Sequence, residues 1–138
     1  MTRTGFVWDE KYVWFDSRGY ADWLPQEALF QPMPSPETPE GKRRFKNLLD
    51  AAGITPQLVD VPSRLATVDE IARLHDRDYI ARIKELSDTT GGDAGEETPF
   101  GRGGYEIALL AAGGAMNAVA AVLEGTVDNA YALVHTVF

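Results

Sequence analysis

The apolar positions of this chain change period along its length, and each change marks a predicted element. Thr4 to Trp8 is a short apolar and aromatic run, TGFVW, closed by Asp9 and Glu10, and it predicts a first strand. From Tyr12 to Ser35 the residues Trp14, Tyr20 and Trp23 keep no period and prolines accumulate. This stretch predicts a long loop, of a kind that in a compact domain is usually functional or mobile. A helix then opens sharply. Thr38 is placed to cap it, Pro39 suits the first helical position, and Glu40 complements the helix dipole. Phe45, Leu48, Leu49 and Ala52 fall on one face, and Gly53 supplies the stop.

Gln57 to Val61 alternates polar and apolar residues and predicts a second, short strand. Thr67-Val-Asp-Glu70 is a capping box that opens a short helix through Leu74. Another helix follows from about Asp76, with Tyr79, Ile80, Ile83 and Leu86 on one face. Thr89 to Gly104 holds six glycines and reads as a loop. Tyr105 to Glu124 is the longest helical stretch, with Ile107, Leu110, Gly114, Ala118, Ala121 and Val122 along one side. Gly113 and Gly114 each cost roughly 1 kcal/mol relative to Ala inside a helix, a cost that close packing against a sheet would offset. Gly125 ends this helix, and Ala130 to Val134, AYALV, predicts a strand buried on both faces. The order is strand, helix, strand, two helices, loop, helix, strand. That is an α/β pattern with parallel crossovers, and it places the third strand beside the first.

Composition narrows this picture. The 138 residues are the usual size of one domain, so residues 1–138 are expected to form a single one. With 44% hydrophobic and 25% charged residues, disorder is not the default. Thirteen basic against 21 acidic residues give a net charge of −8. That supplies no electrostatic footprint for nucleic acid and suits a cationic ligand better. The absence of cysteine excludes disulfides and thiolate metal sites. Ile107 to Leu123 is rich in Ala and Gly, carries Asn117, and reads as too short and too weakly apolar for a membrane span. Asp9 and Glu10 interrupt what would be an apolar signal core. The expectation is a soluble cytoplasmic domain without a nucleic-acid or membrane partner.

Several residues invite a chemical reading, each beside a plainer one. His75, Asp76 and Asp78 suggest a metal site, but adjacent helical residues do not face one another. His135 alone is too few ligands for zinc. Gly101-Arg-Gly-Gly104 before a helix suggests an anion cradle, although it lacks the spacing of a P-loop, and a flexible turn is the simpler expectation. Trp8, Trp14 and Trp23 suggest a cation-accepting cage, with Trp8 more simply in the core. Glu96 and Glu97 suggest an acid/base pair, but loop neighbours point different ways. Lys42, Arg43, Arg44 and Lys46 crowd one helix and read as a solvated face.

Four segments, in order, resemble the histone deacetylase superfamily, in particular its bacterial class II and acetylpolyamine-amidohydrolase-like members. They are PETPEGKRRFKNLLDAAGI, ATVDEIARLHDRDYIARIKELS, GDAGEETPFGRGGYEIALLAAGGAMNAV and DNAYALV. The resemblance implies the N-terminal part of an arginase/deacetylase-like fold, a parallel sheet with packed helices. It implies a zinc-dependent deacetylase that hydrolyses acetylated amines, either acetyl-lysine or an acetylpolyamine. In that family the AYALV-like strand runs into Arg-Pro-Pro-Gly-His-His, and the zinc ligands and a carbonyl-polarising Tyr come later. Here the chain reads His135-Thr136-Val137-Phe138, with His135 at the family's Arg.

The expectation is therefore a truncated chain without catalytic or metal residues, without its own cofactor, and inactive alone. Glu97 falls where many members have an Asp that grips the substrate backbone. Arg44 aligns with an Arg near the inner channel through which acetate is thought to leave. These two are the candidate substrate-binding residues. Phe15 stands where relatives often have His, in a loop that shapes the pocket entrance. The family has a His at position 75 that does not ligate zinc. The alternative is a metal-free binding or interaction module that reuses the front half of the fold. A truncated sheet would leave an edge and a helix face uncovered, so poor stability or a homo-oligomer is expected.

Overall fold

The computed structural model describes residues 2–18, 29, 31, 37–96 and 98–135. Three parallel strands form its sheet, β1 (Thr4–Val7), β2 (Val59–Asp60) and β5 (Asn129–Ala132), in the order β2-β1-β5. Thr4 pairs with Asn129 and Val7 with Ala132, while Gly5 pairs with Val59. The last strand thus lies beside the first, as the sequence predicts. Helices α1 (Glu40–Ala51), α2 (Val68–Ile71), α3 (Arg77–Asp88) and α4 (Gly104–Leu123) complete the α/β pattern.

α4 is the centre of the molecule. On one side Leu110, Ala111, Ala118 and Ala121 pack with Val7, Tyr12, Val61 and Val127. On the other, Tyr105, Ala108 and Leu109 pack with Phe15, Ile71, Ile80, Ile83 and Phe100. The two glycines are explained by what they meet. A Cβ on Gly113 would lie 2.0 Å from the Arg64 carbonyl oxygen, and one on Gly114 would lie 2.4 Å from the Tyr12 hydroxyl. Ala66 N–H donates to Leu109 O at 2.9 Å, so the strand-exit segment after β2 is pinned directly to the helix backbone. Contrary to the sequence expectation, α4 is long and apolar enough to cross a membrane by length and composition alone. Its polar ties belong to a core helix: Arg64 Nε donates to Asn117 Oδ1 at 3.1 Å, and Asn117 Nδ2 donates to Pro62 O at 2.7 Å.

Other elements follow their signals. The Thr67/Glu70 capping box forms in both directions, a device worth about 1 kcal/mol at a helix start. Glu70 also takes both terminal nitrogens of Arg64, at 2.7 and 2.8 Å. Gly53 turns with φ of +66° after α1, a conformation that glycine adopts without a Cβ penalty.

Four expectations change. The Tyr12 to Ser35 loop begins inside a 3₁₀ turn, Glu10–Trp14, because Asp9 caps it by accepting from Lys11 N–H. The glycine-rich loop contains a hairpin, β3 (Gly92–Asp93) with β4 (Pro99–Phe100). Pro39 is the cap residue of α1 rather than its first helical position, and Thr38 Oγ1 accepts from Glu40 N–H at 3.3 Å. The apolar faces of α1 and β5 are not covered: no α1 residue is buried, and β5 alternates between exposed and half-buried positions.

Candidate functional site

Ligands of open α/β sheets bind beyond the carboxyl ends of the strands, so that edge is where a site is expected. β1 leads there through Trp8 and Asp9 into the Glu10–Trp14 turn. The turn buries Tyr12 and Val13, leaves Trp14 63% exposed, and is followed by buried Phe15. Tyr12 ties three elements together. Its hydroxyl lies 2.6 Å from Ser63 Oγ and donates to Leu110 O at 3.3 Å. Burial pushes the Tyr12 phenol above its ordinary pKa, against the lowering effect of the Ser63 hydrogen bond. Trp8 meets the Tyr12 ring edge to face at 6.2 Å and is only half-buried.

β5 leads to the same edge through Leu133 and Val134 to His135, which is 6% exposed. The His135 ring stands edge-on to Phe15 at 4.9 Å, and its Nδ1 lies 3.6 Å from Glu37 Oε1. Burial lowers the imidazole pKa, Lys42 acts in the same direction, and Glu37 opposes them. The start of α1 supplies the rim. Lys42 pairs with Glu37, and Arg43 pairs with Glu10 and with Glu40 while its Nη2 reaches Val13 O at 3.5 Å. The junction holds one buried imidazole with a carboxylate beside it. Among the described residues it does not contain the nucleophile, base and orienting group of a covalent hydrolase. Among the described residues, no group of three or more His, Asp or Glu side chains could hold a metal ion, so this set does not fit zinc.

The two candidate substrate residues are not brought together within the described part. Glu97 lies outside the described residues. It follows Glu96, which has φ of +49°, and precedes Thr98, whose N–H donates to Asp93 Oδ1. Arg44 is exposed on α1 and lines a shallow depression with Gly41, Phe45, Asn47 and Leu48. The arginine that turns toward the strand ends is Arg43. In sequence it reads as one of a solvated cluster, although its spacing from Glu40 is a signal of pairing. The Phe15–His135 contact has no sequence signal, because nothing local joins residues so far apart.

The other motifs resolve structurally. His75 stacks on Tyr79 at 5.4 Å. The anion cradle is not formed: Gly101 N–H donates to Asp16 O, Gly103 N–H to Ser87 O, and Gly104 N–H to Gly101 O. Trp23 lies outside the described residues, so the aromatic cage is not assembled from those described.

The family model of the histone deacetylase domain matches residues 35–136, most of the chain. The chain belongs to the histone deacetylase family. A histone deacetylase-like amidohydrolase of Pseudomonas aeruginosa is 42% identical over 134 residues, which are 95% of this chain and 35% of that protein. Histone deacetylase HDA1 of Candida albicans is 33% identical over 119 residues, 73% of this chain and 14% of that protein. A probable deacetylase of Archaeoglobus fulgidus is 31% identical over 105 residues, 72% of this chain and 29% of that protein. The crystal structure of the HDA15 HD domain shares the fold with a TM-score of 0.82 at 22% identity, over 98% of this chain and 36% of that one. The histone deacetylase fold expected from sequence is thus the one observed, and the chain spans about a third or less of these relatives. Within this family member, β1 and β5 carry their exits to one edge, and the Phe15–His135 contact closes it.

Proposed function

We propose that these residues form one wall of a deacetylase that hydrolyses acetylated amines, either acetyl-lysine or an acetylpolyamine. The observation that carries this reading is the convergence of the β1 and β5 exits on Phe15 and His135, at the edge where open α/β sheets bind ligands. In the intact family zinc supplies Lewis-acid activation of the amide. The residues that would hold it are not among those described, and the isolated 138-residue chain is expected neither to bind zinc stoichiometrically nor to hydrolyse an acetylated amine. What this chain contributes is positional. Tyr12, Ser63 and Leu110 fix the β1 exit to α4, and Phe15 and Glu37 fix the β5 exit. Glu97 would meet the substrate backbone at the rim, and the acidic net charge suits a cationic amine.

The test is amide hydrolysis followed with an acetyl-lysine peptide and with an acetylpolyamine. The isolated chain is expected to match the blank on both. The same residues, joined in one chain to the unmatched two thirds of the Pseudomonas aeruginosa amidohydrolase, are expected to hydrolyse at least one of them in a chelator-sensitive way. Turnover by the isolated chain, or a folded joined chain inert toward both, overturns the proposal.

A further inference from the structure

The hairpin of β3 and β4 is gripped by two arginines from other elements. Each of its strands is two residues long, too short to set the position of the hairpin by pairing alone. At its neck Gly91 and Gly101 pass in backbone contact: a Cβ on Gly91 would lie 2.3 Å from Phe100 O and 2.8 Å from Gly101 Cα. The turn 16–18, in the segment that leaves β1, closes on this neck. Asp16 O accepts from Gly101 N–H at 2.8 Å, and Arg18 Nη2 donates to Thr90 O. Both glycines make room for these side chains. A Cβ on Gly101 would lie 2.4 Å from Asp16 Oδ2, and one on Gly91 would lie 2.7 Å from Arg18 Nη2. Arg18 has φ of +53°, in the left-handed region that a non-glycine residue seldom adopts, and its N–H donates to Asp16 Oδ1 at 2.8 Å. A backbone in that region persists where its surroundings fix it.

Arg82 reaches the same hairpin from α3. Its Nη1 donates to Asp93 O at 3.2 Å and its Nη2 to Ala94 O at 3.5 Å. The guanidinium is itself held over the Tyr79 ring at 5.4 Å, and Tyr79 stacks on His75. The three carbonyls bracket β3: Thr90 precedes it, and Asp93 and Ala94 end it. Beyond this grip Asp93 orders the turn, its Oδ1 accepting from Gly95 N–H at 2.7 Å and from Thr98 N–H at 3.2 Å. We propose that Arg18 and Arg82 are positioning residues, which clamp the β3–β4 hairpin from the β1 exit and from α3 and so set how the chain between those strands, which carries Glu97, is presented to substrate. The clamp stands on these contacts, while its bearing on substrate rests on the reading of Glu97 given above.

The clamp is read by amide hydrogen exchange in the 138-residue chain, resolved by NMR. Arg18→Ala and Arg82→Ala are each expected to speed exchange at Gly95, Thr98 and Gly101 roughly tenfold, since each removes charge-assisted bonds to main-chain carbonyls. Amides of α4 should keep the parent rates. Arg18→Lys retains a donor for the single Thr90 carbonyl and should keep most of the protection. Arg82→Lys loses the planar fork that spans two carbonyls and stacks on Tyr79, and should not. Arg77→Ala, which breaks an exposed pair with Asp69, is the control and should change nothing at the hairpin. Unchanged hairpin exchange in both alanine variants overturns the proposal, and so does a loss of protection spread equally over α4. The consequence for substrate is read in the joined chain described above. There both alanine variants should raise KM severalfold with kcat within about twofold of the parent, whereas an unchanged KM overturns the positioning role. A joined chain inert toward both acetylated amines counts against the substrate reading alone, and the exchange rates then decide the clamp.

Discussion

Gly113→Ala tests whether α4 is held at backbone contact by the segment after β2. On helix propensity alone the substitution should stabilise by roughly 1 kcal/mol. The structure reverses the sign. The new Cβ would sit 2.0 Å from Arg64 O and 2.9 Å from Ala66 N, whereas real Cβ contacts essentially never fall below 3.0 Å. The obstacle is main chain, and it is pinned by the Ala66 N–H to Leu109 O bond, so no side chain can swing away. Overpacking costs about 1–3 kcal/mol, with the upper end applying to a rigid obstacle. Loss of the pinning bond adds about 1 kcal/mol. The net expectation is a loss of about 3 kcal/mol, or roughly 12 °C in Tm for a domain of this size. Gly41→Ala is the control. It lies in α1, where an added methyl would meet nothing within 4 Å, and should gain about 0.4–1 kcal/mol. Urea titration followed by circular dichroism reads both. A Gly113→Ala protein as stable as the parent would refute the close contact.

Three further outcomes are expected. Tyr12→Phe removes the hydroxyl that meets Ser63 Oγ and Leu110 O and should cost about 1 kcal/mol in the same titration. The Arg64 guanidinium and the Thr67 amide hold the Glu70 carboxyl at about 2, against an ordinary 4.5. Its contribution is therefore complete above pH 4.5 and lost as pH falls through about 2, and Glu70→Gln should lose stability less steeply than the parent in that window. For His135 the folded pKa is depressed, mainly by burial, so stability is present above the ordinary value of 6.5 and lost as pH falls below it. His135→Asn should remove that dependence, and an imidazole that titrates above 6.5 by NMR would contradict its burial against Phe15.

Much of the fold is legible in local pattern. The capping box at Thr67 and the stop at Gly53 act through near neighbours and stand where the sequence places them, while the paired glycines of α4 are visible in sequence but meet the distant Arg64 and Tyr12. Two of the misreadings concern burial. AYALV is apolar enough for a strand covered on both faces, but Tyr131 is half exposed. The α1 face at Phe45 and Leu48 is exposed as well. The site is less legible than the fold. Arg43 and His135 owe their positions to Glu10, Val13 and Phe15, contacts made across the sheet edge that no spacing rule encodes. Resemblance to the family identifies the chemistry to look for, while the geometry shows which of its parts these residues hold.

The most direct measurement of the central claim is the zinc content of the purified chain after exchange into buffer with a slight excess of zinc and removal of the unbound ion. Zinc sites need three or four protein ligands, which the described residues do not offer, so far less than one zinc per chain is expected. About one tightly held zinc per chain would contradict it, because that would require a complete ligand set within these 138 residues.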